Sequence, residues 1–168
     1  MTNSFVAMLQ LFAATGEVTG RKKCQKIVHI LQECGVDFGL DFKLGLYGAY
    51  SSGLQSLMED LVEEKYLNEE PDSCGGFPTS RFSPHRRLGK TLRALGEEAP
   101  PSWMPLAVSL NSKSPRELET TSTILFLRNS GVPEADLEDQ FRRLKPHLRD
   151  EYEAGLTLAN ELRHTAAA

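Results

Sequence analysis

The chain has 168 residues, of which 40% are hydrophobic and 25% charged, and this is ordinary globular composition for one domain of some size or two small ones. Its net charge of −4 argues against strong, sequence-independent binding to nucleic acid, because that affinity comes mainly from Lys and Arg. Three cysteines without a C-x-x-C motif argue against a disulfide framework, and neither a signal peptide nor a membrane-spanning run is recognisable. We therefore expect a cytoplasmic protein.

Two helices are predicted at the start of the chain. Residues 4–15 are almost wholly apolar, which favours a buried first helix. Apolar residues at i, i+3, i+4 and i+7 predict a second helix over about 21–33, namely Cys24, Ile27, Val28 and Leu31. Its first turns carry four cations, Arg21, Lys22, Lys23 and Lys26. They oppose the helix dipole, so an anionic partner is one interpretation, and a solvated helix end is the one that we favour.

A strand and a third helix are predicted next. Apolar residues occupy every second position from 38 to 46, which is the period of a strand with one buried face: Phe38, Leu40, Phe42, Leu44 and Leu46. Gly48 marks the junction. Ser51 or Ser52 can cap the following helix, and that helix has a stripe formed by Leu54, Leu57, Met58 and Leu61.

A wing and a basic helix follow. Residues 71–84 are rich in Pro, Gly, Ser and Asp, which predicts two short strands joined by a flexible loop, with Arg81 and Phe82 in the returning strand. From His85 the sequence predicts a helix with Leu88, Leu92 and Leu95 on one side. Together with the preceding elements, these features predict a winged-helix-like module over residues 1–98.

The C-terminal part is predicted to be a helical bundle over residues 114–168. Residues 99–113 are Pro-rich and contain Trp103, so we interpret them as a linker that packs against a neighbour. The S-P-x-E sequence at Ser114 is a capping box that begins a helix ending near Asn129. Two further helices are predicted, one with Leu137, Phe141 and Leu144 facing inward and one over about 149–164. The predicted fold class is mainly α with a small β component.

Two parts of the chain resemble a known family. Residues 21–70, with the motif L-Y-G-A-Y-S, and residues 114–163, with L-K-P-H-L, resemble the YwgA-like family of small bacterial and archaeal proteins, and more remotely the antitoxin-associated Panacea domains. The resemblance implies a winged-helix-like fold and an association with toxin neutralisation or phage defence. In that family a proline commonly occupies the position of Ala49, so the resemblance is looser at this junction. Both motifs are structural and imply fold more than activity.

No residue pattern indicates catalysis, a metal or a cofactor. The four histidines are scattered without Cys, Asp or Glu at the spacing of metal ligands, namely His29, His85, His147 and His164. Nucleotide-binding glycine motifs and the G-x-S-x-G motif are absent from the sequence. Tyr47 and Tyr50 either line a groove or close the core. We therefore predict a protein that is not an enzyme.

Two charged clusters are the candidate binding residues. The third helix carries four carboxylates, Glu59, Asp60, Glu63 and Glu64. In a winged-helix protein this helix would enter the major groove, where the carboxylates would repel phosphates. They form a solvated face, a surface for a protein partner, or the outward end of a helix whose first turn alone reads DNA. That first turn would use Ser51, Ser52 and Gln55.

The second cluster is a basic patch formed by Arg81, Arg86, Arg87, Lys90 and Arg93. It binds phosphate or an acidic partner, or it pairs internally with carboxylates at 59–64, Glu97 and Glu98. We therefore predict a non-catalytic regulatory or accessory protein that acts through protein contact. The alternative is a winged-helix transcription regulator that binds double-stranded DNA. A second copy of the chain is a further partner to consider, and a membrane is not.

Overall fold

The structure is a computed structural model that describes residues 4–167, with side chains up to residue 163. The elements are α1 (Ser4–Thr15), β1 (Val18–Thr19), α2 (Arg21–Glu33), β2 (Lys43–Gly45), β3 (Gly48–Tyr50), α3 (Ser52–Glu63), β4 (Leu67–Cys74), β5 (Phe77–Pro84), α4 (Arg86–Leu95), α5 (Met104–Asn111), α6 (Pro115–Asn129), α7 (Glu134–Leu144), a 3-10 helix (Pro146–Glu151) and α8 (Tyr152–Ala167). The fold is mainly α with a small β component, as predicted. Within the described part of the chain, no helix combines the length and apolarity that crossing a bilayer requires.

The main sheet has three antiparallel strands in the order β1-β5-β4. Strands β4 and β5 form a hairpin in which Glu70 pairs with Arg81, and Gly75 and Gly76 supply the turn with positive φ angles. Phe82 of the returning strand is buried. The two predicted wing strands are therefore present. The interpretation of β1, α2, α3 and this hairpin as a winged-helix-like module stays a prediction.

The strand predicted over residues 38–46 is mostly wrong. Only β2 is regular, and it forms a separate two-stranded hairpin with β3. The Gln32 side chain instead accepts from the Leu40 N–H at 3.1 Å and donates to the Leu40 carbonyl at 2.7 Å, so a side chain replaces a neighbouring strand. Phe38 is buried as predicted, but Leu46 lies at the hairpin turn and is 79% exposed.

The helices that contain clear caps or stripes agree with the sequence. The predicted range of α2 is confirmed, and Ser51 caps α3 by accepting the Leu54 N–H at 3.2 Å. Ser114 caps α6 in the same way, accepting the Glu117 N–H at 3.1 Å.

Two predicted core leucines are exposed. Leu95 is 52% exposed and Leu144 45% exposed. Each lies at the end of its helix, α4 or α7. The apolar stripe of the sequence therefore extends past the last residue of the helix that packs against the core.

The two halves of the chain share one buried cluster, and the C-terminal half has a second cluster of its own, which includes Phe141 and Tyr152. Leu118 of α6 and Leu158 and Leu162 of α8 belong to the same buried cluster as α1 and α2. The close approach of α6 and α8 depends on Gly155, because a Cβ there would lie 2.3 Å from the Thr120 side chain. The division at residues 98 and 114 stays a prediction. The segment predicted as a linker contains a helix, α5, which packs against α1.

Candidate functional site

The acidic surface consists of Glu59, Asp60 and Glu63 of α3 and of Glu64, which directly follows the helix, and all four are exposed. Helix α3 buries its opposite side through Leu54, Met58 and Leu61, so the carboxylates must face outward. Cations already oppose two of the four, because Arg21 lies 3.6 Å from Glu59 and Arg87 lies 3.7 Å from Glu64.

Asp60 and Glu63 carry the charge that remains on this surface. Among the described side chains, neither has a cationic nitrogen within 4.0 Å of its carboxylate. The surface therefore combines two balanced carboxylates with two that are open to a partner. Its role as a binding surface stays a prediction.

The first turn of α3 offers less to DNA than its sequence suggests. Ser51 is only 1% exposed and its hydroxyl is the helix cap, so this residue does not reach a base edge. The Gln55 side chain donates to Glu59 at 2.7 Å. Three residues were predicted to contact bases. Among the described residues, Ser52 is the one of these that is exposed and makes no side-chain hydrogen bond.

Arg81, the wing member of the basic patch, is neutralised within the protein. Its guanidinium lies 2.7 Å from Glu70, 3.7 Å from Asp72 and 3.7 Å from Glu17. The hydrogen bond that Arg81 donates to the Glu70 carboxylate is the main reason that the pKa of Arg81 is raised. This residue therefore has little charge to offer a phosphate.

The α4 members of the basic patch divide into paired and unpaired cations. Arg87 lies over the Tyr66 ring and close to Glu64, and Arg93 lies 3.3 Å from Glu98. Arg86 and Lys90 are exposed and, within the described structure, have no carboxylate within 4.0 Å. Internal pairing thus accounts for three of the five members.

A buried Ser-His-Glu contact was not predicted from the sequence. The His29 Nδ1 atom lies 2.7 Å from the Ser122 hydroxyl, and its Nε2 atom lies 3.4 Å from Glu33. This order resembles a hydrolase triad, but Ser122 is 0% exposed and His29 1%, so no substrate reaches the hydroxyl. Phe42 and Phe126 cover the imidazole ring. The contact is therefore a structural hydrogen bond in the core.

The cysteines and the remaining histidines form no site in the described part of the chain. Burial raises the pKa of Cys24 to about 12, and burial followed by the nearby Glu33 raises that of Cys34 to about 11. Such thiols are unreactive at neutral pH. No group of three or more described His, Cys, Asp or Glu residues is close enough to hold a metal ion, and the His164 side chain lies outside the described part of the chain.

A cavity of about 350 Å³, which we call the hairpin pocket, lies between the N-terminal half of α2 and the β2-β3 hairpin. It is lined by Arg21, Lys22, Gln25, Lys26, Gly45, Leu46, Tyr47, Gly48, Tyr50 and Gln55. Tyr47 is 54% exposed and Tyr50 46% exposed. Of the two roles considered for these tyrosines, lining a groove is the one that agrees with the structure.

Two buried lysines donate hydrogen bonds to backbone carbonyls of the hairpin. Lys26 of α2 is 4% exposed and donates to the Ala49 carbonyl at 2.8 Å. Lys145, which follows α7, is 1% exposed and donates to the Leu46 carbonyl at 2.6 Å. The Glu119 carboxylate of α6 lies 3.1 Å from Lys145.

These buried charges do not balance, because two lysines share Glu119. No carboxylate lies within 4.0 Å of the Lys26 ammonium group in the described structure. Burial lowers the pKa of Lys26 from 10.5 to about 8, which Glu119 opposes and the neighbouring Lys145 and Lys22 reinforce. The expected solvated helix end is thus wrong for Lys26, which the sequence alone did not distinguish from Lys22 or Lys23.

Gly48 allows this arrangement. Its φ angle is +94°, and a Cβ at this position would lie 3.0 Å from the Lys26 side chain and 3.3 Å from that of Glu119. The glycine of the L-Y-G-A-Y-S motif therefore provides the space in which the buried charges meet.

Comparison with known proteins gives two matches. The Uncharacterized protein YwgA of Bacillus subtilis (strain 168) is 28% identical over 169 residues, covering 97% of this chain and 98% of that protein. A DNA ADP-ribosyl glycohydrolase of Thermus aquaticus is 36% identical over 78 residues, covering 45% of this chain but 21% of that protein. No family model matches. The relation to Panacea domains stays a prediction. The similarity to YwgA extends over nearly the full length of both proteins, which supports the resemblance to the YwgA-like family.

Proposed function

We propose that this protein is a non-catalytic regulatory or accessory protein that acts by protein–protein contact through the acidic surface of α3. The observation that carries the proposal is the pair Asp60 and Glu63, exposed on one helix without a cation to balance them among the described side chains. A partner with a basic surface would complement them, whereas the phosphates of DNA would be repelled.

The family resemblance of the sequence suggests a setting for this contact. The resemblance to the YwgA-like family and to Panacea domains implies toxin neutralisation or a subunit of a phage-defence system. The Thermus protein is named for an activity on ADP-ribosylated DNA, and the chain matches about a fifth of it, so that activity is not carried over.

The test is a charge reversal on the acidic surface. The chain is purified from its native cell as wild type and as the double variant Asp60→Lys with Glu63→Lys, and the co-purified proteins are quantified by mass spectrometry. The matched control is Asp136→Lys with Asp139→Lys, which makes the same charge change on exposed positions of α7. We expect a basic partner to be retained by wild type and control and lost from the α3 variant.

The purified pair then has to reproduce the result. Loss of at least about tenfold in affinity in the α3 variant alone, with steep weakening by salt, supports the contact. Equal retention by all three chains contradicts it. Light scattering of the chain alone reports whether the partner is instead a second copy.

DNA binding is the second candidate, and Arg86 and Lys90 favour it because both are exposed and unpaired within the described structure. Duplex DNA is titrated at about 50 mM salt and again at about 200 mM. We expect weak binding. Strong binding that falls steeply with salt, and that Arg86→Glu with Lys90→Glu abolishes, would establish the transcription-regulator alternative in place of the contact.

A further inference from the structure

The hairpin pocket carries positive charge that the protein does not itself neutralise. Of its three cations, Arg21 is paired with Glu69 at 3.0 Å and lies near Glu59. Lys22 lies over the Tyr47 ring at 3.4 Å, and Lys26 is bound to the Ala49 carbonyl. In the described structure neither lysine has a carboxylate within 4.0 Å.

Lys26 also has hydrogen-bonding capacity to spare. An ammonium group has three donors, and the structure assigns one of them, to Ala49. Because Lys26 is only 4% exposed, water satisfies the others poorly, and a buried cation without a counter-charge is unfavourable. An anion in the cavity would supply both the acceptor and the charge.

The walls of the pocket indicate what else the occupant contains. Leu46, Tyr47 and Tyr50 present apolar surface at the hairpin, and the methylene chains of the two lysines add more. A volume of about 350 Å³ lies within the range of small-molecule sites. A bare inorganic ion would leave most of this surface uncovered.

We propose that the hairpin pocket binds a small organic anion in which an aromatic or other apolar body carries one carboxylate or phosphate group. The acidic group lies between the ammonium groups of Lys22 and Lys26, and the body packs against Tyr47 and Tyr50. The site goes beyond the proposed function and does not depend on it, because it lies on the hairpin and is measured on the purified chain without a partner.

The test uses four probes that separate the contribution of the acidic group from that of the aromatic ring: benzoate, phenyl phosphate, inorganic phosphate and benzyl alcohol. Binding is followed by the backbone amide signals of Gly48 and Tyr50 in an NMR titration of the full chain. We expect saturable shifts with benzoate or phenyl phosphate, and the tighter of the two identifies the acidic group. Inorganic phosphate and benzyl alcohol are each expected to bind at least about tenfold more weakly.

Two variants assign the charge. Lys22 is exposed, so Lys22→Gln is expected to fold and to weaken the better probe about tenfold. Lys90→Gln is the matched control, since it removes an exposed cation from α4 and is expected to leave binding unchanged. Saturation by none of the probes, equal binding of benzyl alcohol, or equal effects of the two variants would overturn the proposal.

A pH series tests the buried lysine without a substitution. Benzoate keeps its charge from about pH 6 to pH 10, so any change in its affinity comes from the protein. The charged groups that face Lys26 are Lys22 on its own helix, Glu119 on α6 and Lys145 after α7. We expect the affinity to fall as the pH rises above 8, where Lys26 loses its proton, and a constant affinity would overturn its assignment to the site.

Discussion

The basic patch and the pair of buried lysines at the hairpin both consist of cations, but these cations differ in their exposure to water and therefore in their contribution to stability. Arg93 of the patch and its partner Glu98 are 75% and 63% exposed, whereas the Lys145 and Glu119 side chains are 2% and 16% exposed. Water screens the first pair, so it contributes little to stability. Water screens the Lys145–Glu119 pair much less, and removing one partner leaves the other charge largely buried without its counter-charge. The basic patch is the denser cluster of cations in the sequence, but it therefore contributes less to stability than the hairpin lysines.

The largest expected effect comes from breaking the buried pair with Lys145→Met. The substitution removes the donor to the Leu46 carbonyl and takes the nearest cation away from the Glu119 carboxylate, which is 16% exposed. We expect the free energy of unfolding to fall by about 3–5 kcal/mol. Denaturant unfolding followed by circular dichroism measures it.

Arg93→Met is the control for this prediction. It removes the same charge from an exposed pair, and we expect a loss below about 1 kcal/mol. Similar losses in the two variants would mean that burial does not separate the two regions as described.

The second effect comes from crowding the buried charges with Gly48→Ala. The added methyl group meets Lys26 at 3.0 Å, and the φ angle of +94° is unfavourable for alanine. Backbone strain of about 1 kcal/mol and overpacking of about 1–3 kcal/mol should add. Gly76→Ala provides the control, since its φ is +85° and no atom lies within 4 Å of the new methyl group. Equal unfolding energies for the two variants would show that the lysines move aside freely.

The sequence predicts best where a signal is local. The stripe of α2, the Ser51 and Ser114 caps and the Gly75-Gly76 turn all lie within a few residues of the structure they specify. Family resemblance was likewise recognisable from such motifs. The prediction failed over residues 38–46, where a real alternation of apolar residues exists but Gln32 supplies the hydrogen bonds that a strand would need.

The candidate site was less accessible to sequence reasoning, because it depends on distant contacts. Lys145 binds a carbonyl 99 residues away in sequence, and Lys26 binds one 23 residues away. No local pattern marks a lysine that will be buried, since its neighbours in the chain are ordinary solvated cations. The two exposed tyrosines gave the only hint, and they were compatible with a core role as well.

The smallest expected effect concerns pH, because a buried lysine with a lowered pKa makes the free energy of unfolding depend on pH above about 8. Between pH 8 and pH 10.5 the unfolded chain keeps the Lys26 proton that the folded chain has lost, so this group makes stability rise with pH. Cys24 and Cys34 act in the opposite sense above pH 9, because their raised pKa values keep the folded thiols protonated while the unfolded ones ionise. The two opposing contributions must therefore be separated.

Comparing wild type with Lys26→Met achieves this, since both proteins contain the same cysteines. From pH 7 to pH 9 we expect the unfolding free energy of wild type to rise by about 1 kcal/mol relative to the variant, the amount that one pKa unit beyond pH 8 provides. Lys90→Met, which removes an exposed cation, should follow wild type at every pH. Parallel profiles for all three proteins would place the Lys26 ammonium group in water-like surroundings, and the contrast between the hairpin lysines and the basic patch would then rest on Lys145 alone.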